Sequence, residues 1–156
     1  MSPRTPISTQ IYQLKSQLSP AQTAMSTPRP PVTCHVLDTT AGLPAQGISV
    51  QLVVNVPEVT ITLQGTTNGD GRVTAWTGSG PDLHSVFEKH SGNMACTLKF
   101  DTLQYWDNKG ITPFFPQVEI NFTTTGFSGL NANQAKPHWH VPLLLGPFNY
   151  TTYRGS

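Results

Sequence analysis

Hydrophobic and polar residues alternate in short segments from Val32 onward, which is the pattern of half-buried β-strands. Side chains two positions apart lie on the same face of a strand. Val32, Cys34 and Val36 are therefore predicted to point to one face of a first strand, and His35 to the other. Residues 48–55 repeat the alternation, which predicts a second strand with one buried face.

Later segments have the same character and bring the predicted total to about eight strands. They are residues 60–64, 72–76, 95–100, 118–122, 140–145 and 151–153. The turn Asn68-Gly69-Asp70-Gly71 closes one of them. Short strands this numerous, joined by frequent turns, predict an all-β fold in which two sheets pack face to face as a sandwich.

Other breaks in the pattern predict the connections between strands. Gly42 and Pro44 mark a turn within residues 38–47, so we expect a hairpin between the first two strands. Two stretches, residues 81–90 and 103–109, have the character of short helices. These are the only helical segments that we expect after the first thirty-one residues.

The first thirty-one residues differ from the rest, because they are rich in Ser, Thr, Gln and Pro and end in Pro28-Arg29-Pro30-Pro31. Such a composition buries too little apolar surface to order itself. We therefore predict a disordered N-terminal extension at 1–31 and one domain at 32–156. Within the extension, Gln10-Ile11 and Gln17-Leu18 are similar to an N-terminal peroxisomal import signal, except that Gln10 stands where a basic residue is required. Both a peroxisomal and a cytoplasmic location stay open.

Charged residues make up 11% of the chain, against about 25% in an average soluble protein. This shortage disfavours a helical fold, whose solvent faces need charge. The formal net charge of +1, with nine scattered Lys and Arg, predicts no nucleic-acid partner and no membrane surface. Cys34 and Cys96 are expected to be free buried thiols in a reducing compartment.

Candidate chemistry centres on histidine, since the chain has no glycine loop for nucleotides, no Cys-x-x-Cys and no Gly-x-Ser-x-Gly elbow. His138 and His140 are two apart, so a strand would place both imidazoles on one face. With His35 as a third ligand they could hold zinc. No carboxylate is obviously placed to orient such ligands, and the metal-free interpretation is favoured.

Two further features have alternative interpretations. Arg72 begins a strand after an Asp-Gly turn, and is either a functional cation or an arginine at the sheet edge. Residues 153–156, Tyr-Arg-Gly-Ser, directly follow a predicted strand at the end of the chain. They either fray, as termini usually do, or dock into a cleft or an intersubunit seam.

Three blocks of sequence together resemble the 5-hydroxyisourate hydrolases of the transthyretin-like family, over residues 32–156. The blocks are Thr33–Thr39 with Gly42–Ala45, then Thr67–Arg72, and finally His138–Leu145 through Pro147 to the closing Tyr153–Ser156. The resemblance implies a sandwich of two four-stranded sheets with one short helix, at 103–109. It also implies a homotetramer, a dimer of dimers, with active sites in the channel where the dimers meet.

The resemblance further implies which residues carry function, without metal or cofactor. The implied catalytic residues are His35, Arg72, His140 and Ser156, and the implied substrate-binding residues are His35, Arg72, Tyr153, Arg154 and His138. Enzymes of this family hydrolyse 5-hydroxyisourate, a small purine-derived substrate, to 2-oxo-4-hydroxy-4-carboxy-5-ureidoimidazoline in urate degradation. Water attacks a lactam carbonyl with the help of a histidine.

Hormone carriers of the transthyretin type share the fold but differ at these positions. They have Lys in place of the first-block His, lack the Arg and the second His, and do not end in Tyr-Arg-Gly-Ser. This chain has every residue of the enzyme type. We therefore expect a hydrolase, with a non-catalytic small-molecule carrier as the alternative.

Overall fold

The computed structural model describes residues 28–156, so the expectations for the import signal at 10–18 and for most of the N-terminal extension lie outside the described residues. Within them the chain forms nine strands and two short helices. These are β1 (Val32–Asp38), β2 (Leu43–Pro44), β3 (Ser49–Val56), β4 (Val59–Thr66), β5 (Arg72–Val73), α1 (Leu83–Lys89), β6 (Asn93–Asp101), α2 (Leu103–Asp107), β7 (Gln117–Thr125), β8 (Trp139–Leu145) and β9 (Tyr150–Thr152). Neither helix is long and apolar enough to cross a membrane, in this part of the chain.

One sheet is antiparallel throughout, in the order β4-β3-β6-β7. Its strands follow the alternation in the sequence, since Val50, Leu52 and Val54 of β3 are fully buried while Ser49 and Asn55 are exposed. The same period of two recurs in β6. The predicted two-sheet all-β fold is confirmed for this half of the sandwich.

The other sheet has the order β2-β1-β8-β9, with β5 also paired to β1. Its central pair is parallel, with residues 32–38 of β1 aligned on 139–145 of β8. The two-residue strands β2 and β5 both pair with β1 in antiparallel orientation. This sheet presents candidate functional residues, because β1, β5 and β8 contribute His35, Arg72 and His140.

The predicted hairpin between the first two long strands is wrong. The turn at Gly42 pairs β1 with the short β2, with Leu37 opposite Pro44. Ala45 and Ile48 are then buried as the chain crosses to β3 in the other sheet. Alternation shows that each segment has a buried face, but it does not show which sheet the segment joins.

The core lies between the sheets and consists of the inward faces of their strands. Val32, Cys34 and Val36 of β1 are fully buried there, as the alternation predicts. Burying each such side chain contributes about 1.5–3 kcal/mol relative to leaving it exposed. Cys34 and Cys96 are both free and buried, which confirms the predicted burial of the two thiols.

The structure has two short helices where the resemblance implied one. The implied helix is α2, and the second is α1, in the other stretch of helical character. Asp82 caps α1, because its Oδ1 accepts a hydrogen bond from the Ser85 N–H at 3.1 Å. Phe87 of α1 packs its ring 5.5 Å from that of Trp139. The helix therefore packs against Trp139, the first residue of β8, which lies in the sequence between His138 and His140.

Candidate active site

Three predicted site residues lie together on the outward face of the sheet β2-β1-β8-β9. His35 of β1 is paired with Arg72 of β5, and the preceding Thr33 is paired with His140 of β8. Directly paired residues share a face, and so do residues two apart in one strand. The ring centroids of His35 and His140 are 6.4 Å apart. The sheet register thus brings together an arginine and two histidines from three distant parts of the sequence.

His138 and Thr33 complete the group. The Thr33 Oγ1 lies 2.8 Å from Nδ1 of His140 and 3.0 Å from Nε2 of His138. The His138 and His140 rings are stacked, with centroids 6.3 Å apart. A threonine hydroxyl has a single proton, so it can donate to only one of the two rings. The direction of this hydrogen-bond chain therefore fixes which nitrogen of His140 carries its proton.

The surroundings keep the imidazoles neutral. Burial lowers the pKa of His140 below its ordinary 6.5, and the positive charge of Arg72 lowers it further. Burial followed by the charge of Arg72 also lowers the pKa of His35, although the backbone and carboxylate of Asp70 oppose this shift. A neutral imidazole has a free lone pair, so both rings are able to accept a proton near neutral pH.

His138 has the most depressed pKa of these rings, at about 4. Burial is the largest cause, followed by the positive charge of Arg29. The ring is therefore uncharged at neutral pH and acts as a hydrogen-bonding group. Its bond to Thr33 connects it to His140, which makes it part of the same polar cluster.

The end of the chain is docked beside this cluster. The Gly155 N–H donates to the His140 carbonyl oxygen at 2.8 Å, in the same register that β9 keeps with β8. The Thr152 hydroxyl donates to the Pro142 carbonyl oxygen at 2.8 Å. Of the two interpretations of residues 153–156, docking is the one that the structure supports, and it continues the line of β9 past the histidine.

The other C-terminal residues are not gathered around Arg72. Tyr153 and Arg154 line a smaller cavity of about 220 Å³ beside β7, to which His140 also contributes. Arg72 lines a different cavity, of about 530 Å³. Ser156 is exposed at the end of the chain. A single chain therefore places Arg154 and Arg72 in separate cavities, and His140 lines the one that contains Arg154.

The three clustered histidines are not arranged as ligands of one metal ion in the described part of the chain. Among residues 28–156, no group of three or more His, Cys, Asp or Glu side chains is arranged to hold a metal ion. The zinc interpretation needed His35, His138 and His140 as three ligands of one ion. Instead, two of these rings share the Thr33 hydroxyl.

Thr33 is the member of this candidate site that the sequence pattern did not single out. It lies two residues before His35 and therefore on the same outward face. The signal that would have found it is the parallel pairing of β1 with β8, which sets Thr33 opposite His140. That pairing joins residues more than a hundred positions apart, and no local pattern reveals it.

Comparison with known proteins agrees with this fold. The sequence profile described as the HIUase/Transthyretin family matches residues 32–155. The 5-hydroxyisourate hydrolase of Mus musculus is 40% identical over 135 residues, which cover 85% of this chain and 100% of the mouse protein.

Two solved structures share the architecture. The Klebsiella pneumoniae 5-hydroxyisourate hydrolase is 26% identical with a TM-score of 0.55, over 80% of this chain and 98% of that chain. Sea bream transthyretin in complex with thyroxine is 25% identical with a TM-score of 0.60, over 80% of this chain and 94% of that chain. Since the profile spans both sheets and the docked C-terminus, the chain belongs to the HIUase/transthyretin family.

Proposed function

We propose that this protein hydrolyses 5-hydroxyisourate to 2-oxo-4-hydroxy-4-carboxy-5-ureidoimidazoline in urate degradation. The observation that carries the proposal is the placement of His35, Arg72 and His140 on one face of the sheet, with both imidazoles held neutral. Relatives that carry this activity in their names align over most of the chain. The residues that distinguish the enzymes from the carriers are all present.

In the proposed reaction, His140 acts as the general base. For this role we assign Nδ1–H of His140 as the donor to Thr33 Oγ1, and the Thr33 hydroxyl as the donor to Nε2 of His138, across contacts of 2.8 and 3.0 Å. This direction leaves the lone pair on Nε2 of His140 free to take a proton from water. A positioned base contributes about 10² to 10⁴-fold in rate.

The water oxygen then bonds to the lactam carbonyl carbon, and the carbonyl oxygen becomes an oxyanion. Arg72 stabilises this negative charge, a contribution on the order of 3 kcal/mol for one good donor. The imidazolium returns its proton to the ring nitrogen as the C–N bond breaks. His35, beside Arg72, orients the water or the substrate. Tyr153, Arg154 and Ser156 are assigned to substrate contact in the assembled oligomer, since one chain alone holds Arg154 and Arg72 in separate cavities.

The proposed mechanism requires neither metal nor cofactor. It uses imidazole as base and guanidinium as the oxyanion partner, so every step is assigned to a side chain. The prediction that separates this from a zinc hydrolase is unchanged turnover after dialysis against a chelator. Loss of activity that stoichiometric zinc restores would contradict it.

We also propose a homotetramer built as a dimer of dimers. In the described chain, β7 and β9 each pair with a strand on one side only, so each sheet ends on an open edge. Open edges are sites where another chain can add a strand. Large apolar side chains are exposed beside β9, namely Phe114, Phe148 and Tyr150. Assembly would bring further copies of Arg154 and Ser156 towards the outward face.

The location of the protein is proposed as peroxisomal or cytoplasmic. The motif at Gln10–Leu18 supports import, whereas Gln10 in place of a basic residue weakens it. Fusing residues 1–31 to a fluorescent protein tests this directly. Peroxisomal fluorescence that is lost on removal of residues 10–18 is the result expected for a working signal.

The decisive test of the proposed activity is a coupled assay. Urate oxidase generates the transient intermediate from urate, and its ultraviolet absorbance decays slowly without a hydrolase. Adding this protein should accelerate the decay in proportion to its concentration. The carrier alternative predicts stoichiometric binding without faster decay, so the two outcomes are distinct.

A further inference from the structure

The segment immediately before β1, residues 28–31, is held against the side of the site at which His138 lies. The Trp139 N–H donates to the Pro31 carbonyl oxygen at 2.9 Å. At the other end, the Pro28 carbonyl oxygen accepts a hydrogen bond from Nε2 of His84 at 3.3 Å. Arg29 is the charged residue between these two anchors. Three prolines flank it, and their fixed φ angles reduce the entropy lost when the segment is ordered.

Arg29 and Arg72 line the same cavity, which has a volume of about 530 Å³. Thr33 also lines it, and the Thr33 hydroxyl is bonded to both His138 and His140. The cavity therefore adjoins the histidine cluster through Thr33, although His35, His138 and His140 do not line it themselves. Its remaining walls include Trp76, a flat apolar surface.

The charges of this cavity favour an anion. Neither Arg29 nor Arg72 takes part in the ion pairs found among residues 28–156, which involve lysines instead. The carboxylate in the cavity wall, Asp82, is occupied by the N–H and hydroxyl of Ser85 at the start of α1. Two guanidinium groups thus face a space whose one acidic side chain is already hydrogen-bonded.

The positive charge of Arg29 also lowers the pKa of two imidazoles. It lowers the pKa of His138, second only to burial, and contributes to the lowered pKa of His140 after burial, Arg72 and His35. A cation in this position would therefore act on a molecule bound beside these rings as well.

We propose that Arg29 is an additional substrate-binding residue, which together with Arg72 binds the anionic oxygens of a planar, oxo-substituted heterocycle in this cavity. The inference rests on the proposed function and extends it to a residue outside the region matched by the family profile. A guanidinium presents parallel N–H donors that match two neighbouring oxygens of such a ring. Arg29 binds and orients the substrate, whereas proton transfer remains with the histidines.

The test compares Arg29→Gln, Arg29→Lys and wild type in the full chain. Lys99→Gln is the control, because it removes a positive charge from β6, in the antiparallel sheet away from the site. Arg29→Gln should raise KM about 10-fold, as expected for loss of one charge-assisted hydrogen bond, with kcat little changed. Arg29→Lys keeps the charge and should restore part of the KM. The Lys99→Gln variant should match wild type. An unchanged KM in Arg29→Gln, or an equal rise in Lys99→Gln, overturns the proposal.

A binding measurement separates this proposal from the proposed activity. Urate is a planar, oxo-substituted anion that is not hydrolysed by this chemistry, and its Kd can be measured by calorimetry. Weaker urate binding by Arg29→Gln than by wild type supports the proposal even if wild type has no hydrolase activity. Equal affinity, or no urate binding by either protein, overturns the role of Arg29 independently of turnover.

Discussion

Gly155 lies against the ring of His140 so closely that a methyl group on its α-carbon would be 2.6 Å from Cδ2 of the imidazole. The same methyl would be 3.1 Å from Cγ of Pro142. The next-to-last residue of the chain therefore sets the position of a proposed catalytic ring. The contact explains why glycine is needed within the docked C-terminal tetrapeptide.

Gly155→Ala is expected to displace either His140 or the C-terminal segment. Turnover should fall at least about 10-fold, because small displacements of a catalytic group are costly in rate. The sandwich should stay folded, since Gly155 lies outside the core. Gly80→Ala is the matched control, because a methyl there meets nothing within 4 Å. Wild-type turnover by Gly155→Ala would show that the contact does not position the ring.

Thr33→Val removes the hydroxyl that joins His138 to His140 while keeping the shape of the side chain. We expect kcat to fall roughly 10-fold, because the base loses the partner that fixes its tautomer. Thr33→Ser restores the hydroxyl and should recover most of the rate. If the serine variant is as impaired as the valine variant, the methyl group rather than the hydrogen bond is what matters.

The histidines should titrate below their ordinary range. Because burial and the Arg72 charge both disfavour imidazolium, the pKa of His140 and that of His35 lie below 6.5. Neutral base therefore persists below pH 6.5, and kcat/KM should decline only under more acidic conditions. Arg72→Gln removes a positive charge and should raise both pKa values, which NMR titration of the ring protons measures. A downward shift in this variant would contradict the assignment of Arg72 as a neighbouring charge.

Much of the fold could be predicted from the sequence, because alternation with a period of two reports burial directly. The segments at β3, β6 and β7 follow it throughout their lengths. The hairpin between β1 and β3 was mispredicted because the alternation in a strand is the same whichever sheet it joins. The parallel pairing of β1 with β8 cannot be predicted from local alternation either, since it depends on contacts across most of the chain.

The site was predictable only in part, and for a related reason. His35, Arg72 and His140 carry chemistry that is recognisable in the sequence. Their convergence depends on the register between strands, which also brings in Thr33. The two cavities that separate Arg154 from Arg72 depend on the path of the C-terminus beside β7. No spacing in the sequence reveals that path.

The hydrogen bonds to the buried carboxylate of Asp38 lead to a prediction about stability. Its burial raises the pKa, but hydrogen bonds from Thr40, Tyr105 and the backbone outweigh burial and lower the pKa to about 2. The Tyr105 hydroxyl donates to Oδ2 of Asp38 at 2.7 Å and ties α2 to β1. Tyr105→Phe should lower the free energy of unfolding by about 1.5–3 kcal/mol, the usual contribution of a hydrogen bond to a charged group. Urea denaturation measures this, with the exposed Tyr150→Phe as control.

The stabilisation from ionised Asp38 has a defined pH window. A carboxylate with a depressed pKa in the folded state stabilises the protein above its unfolded pKa of 3.8, and this contribution is lost as the pH falls towards 2. In Tyr105→Phe the folded pKa rises, so less stability is lost over that interval. Identical acid dependence in the variant and wild type would indicate that Tyr105 does not stabilise the ionised form.

We propose that His35, Arg72 and His140 act on one substrate, and single alanine substitutions test this most directly. Each variant is assayed for decay of the urate oxidase product, with circular dichroism to establish folding and His90→Ala as a histidine control from outside the cluster. We predict that each of the three substitutions lowers kcat/KM by about 10²-fold or more, with the fold intact and His90→Ala close to wild type. Near-wild-type turnover in any folded variant of the three would contradict the assignment of these residues to one active site.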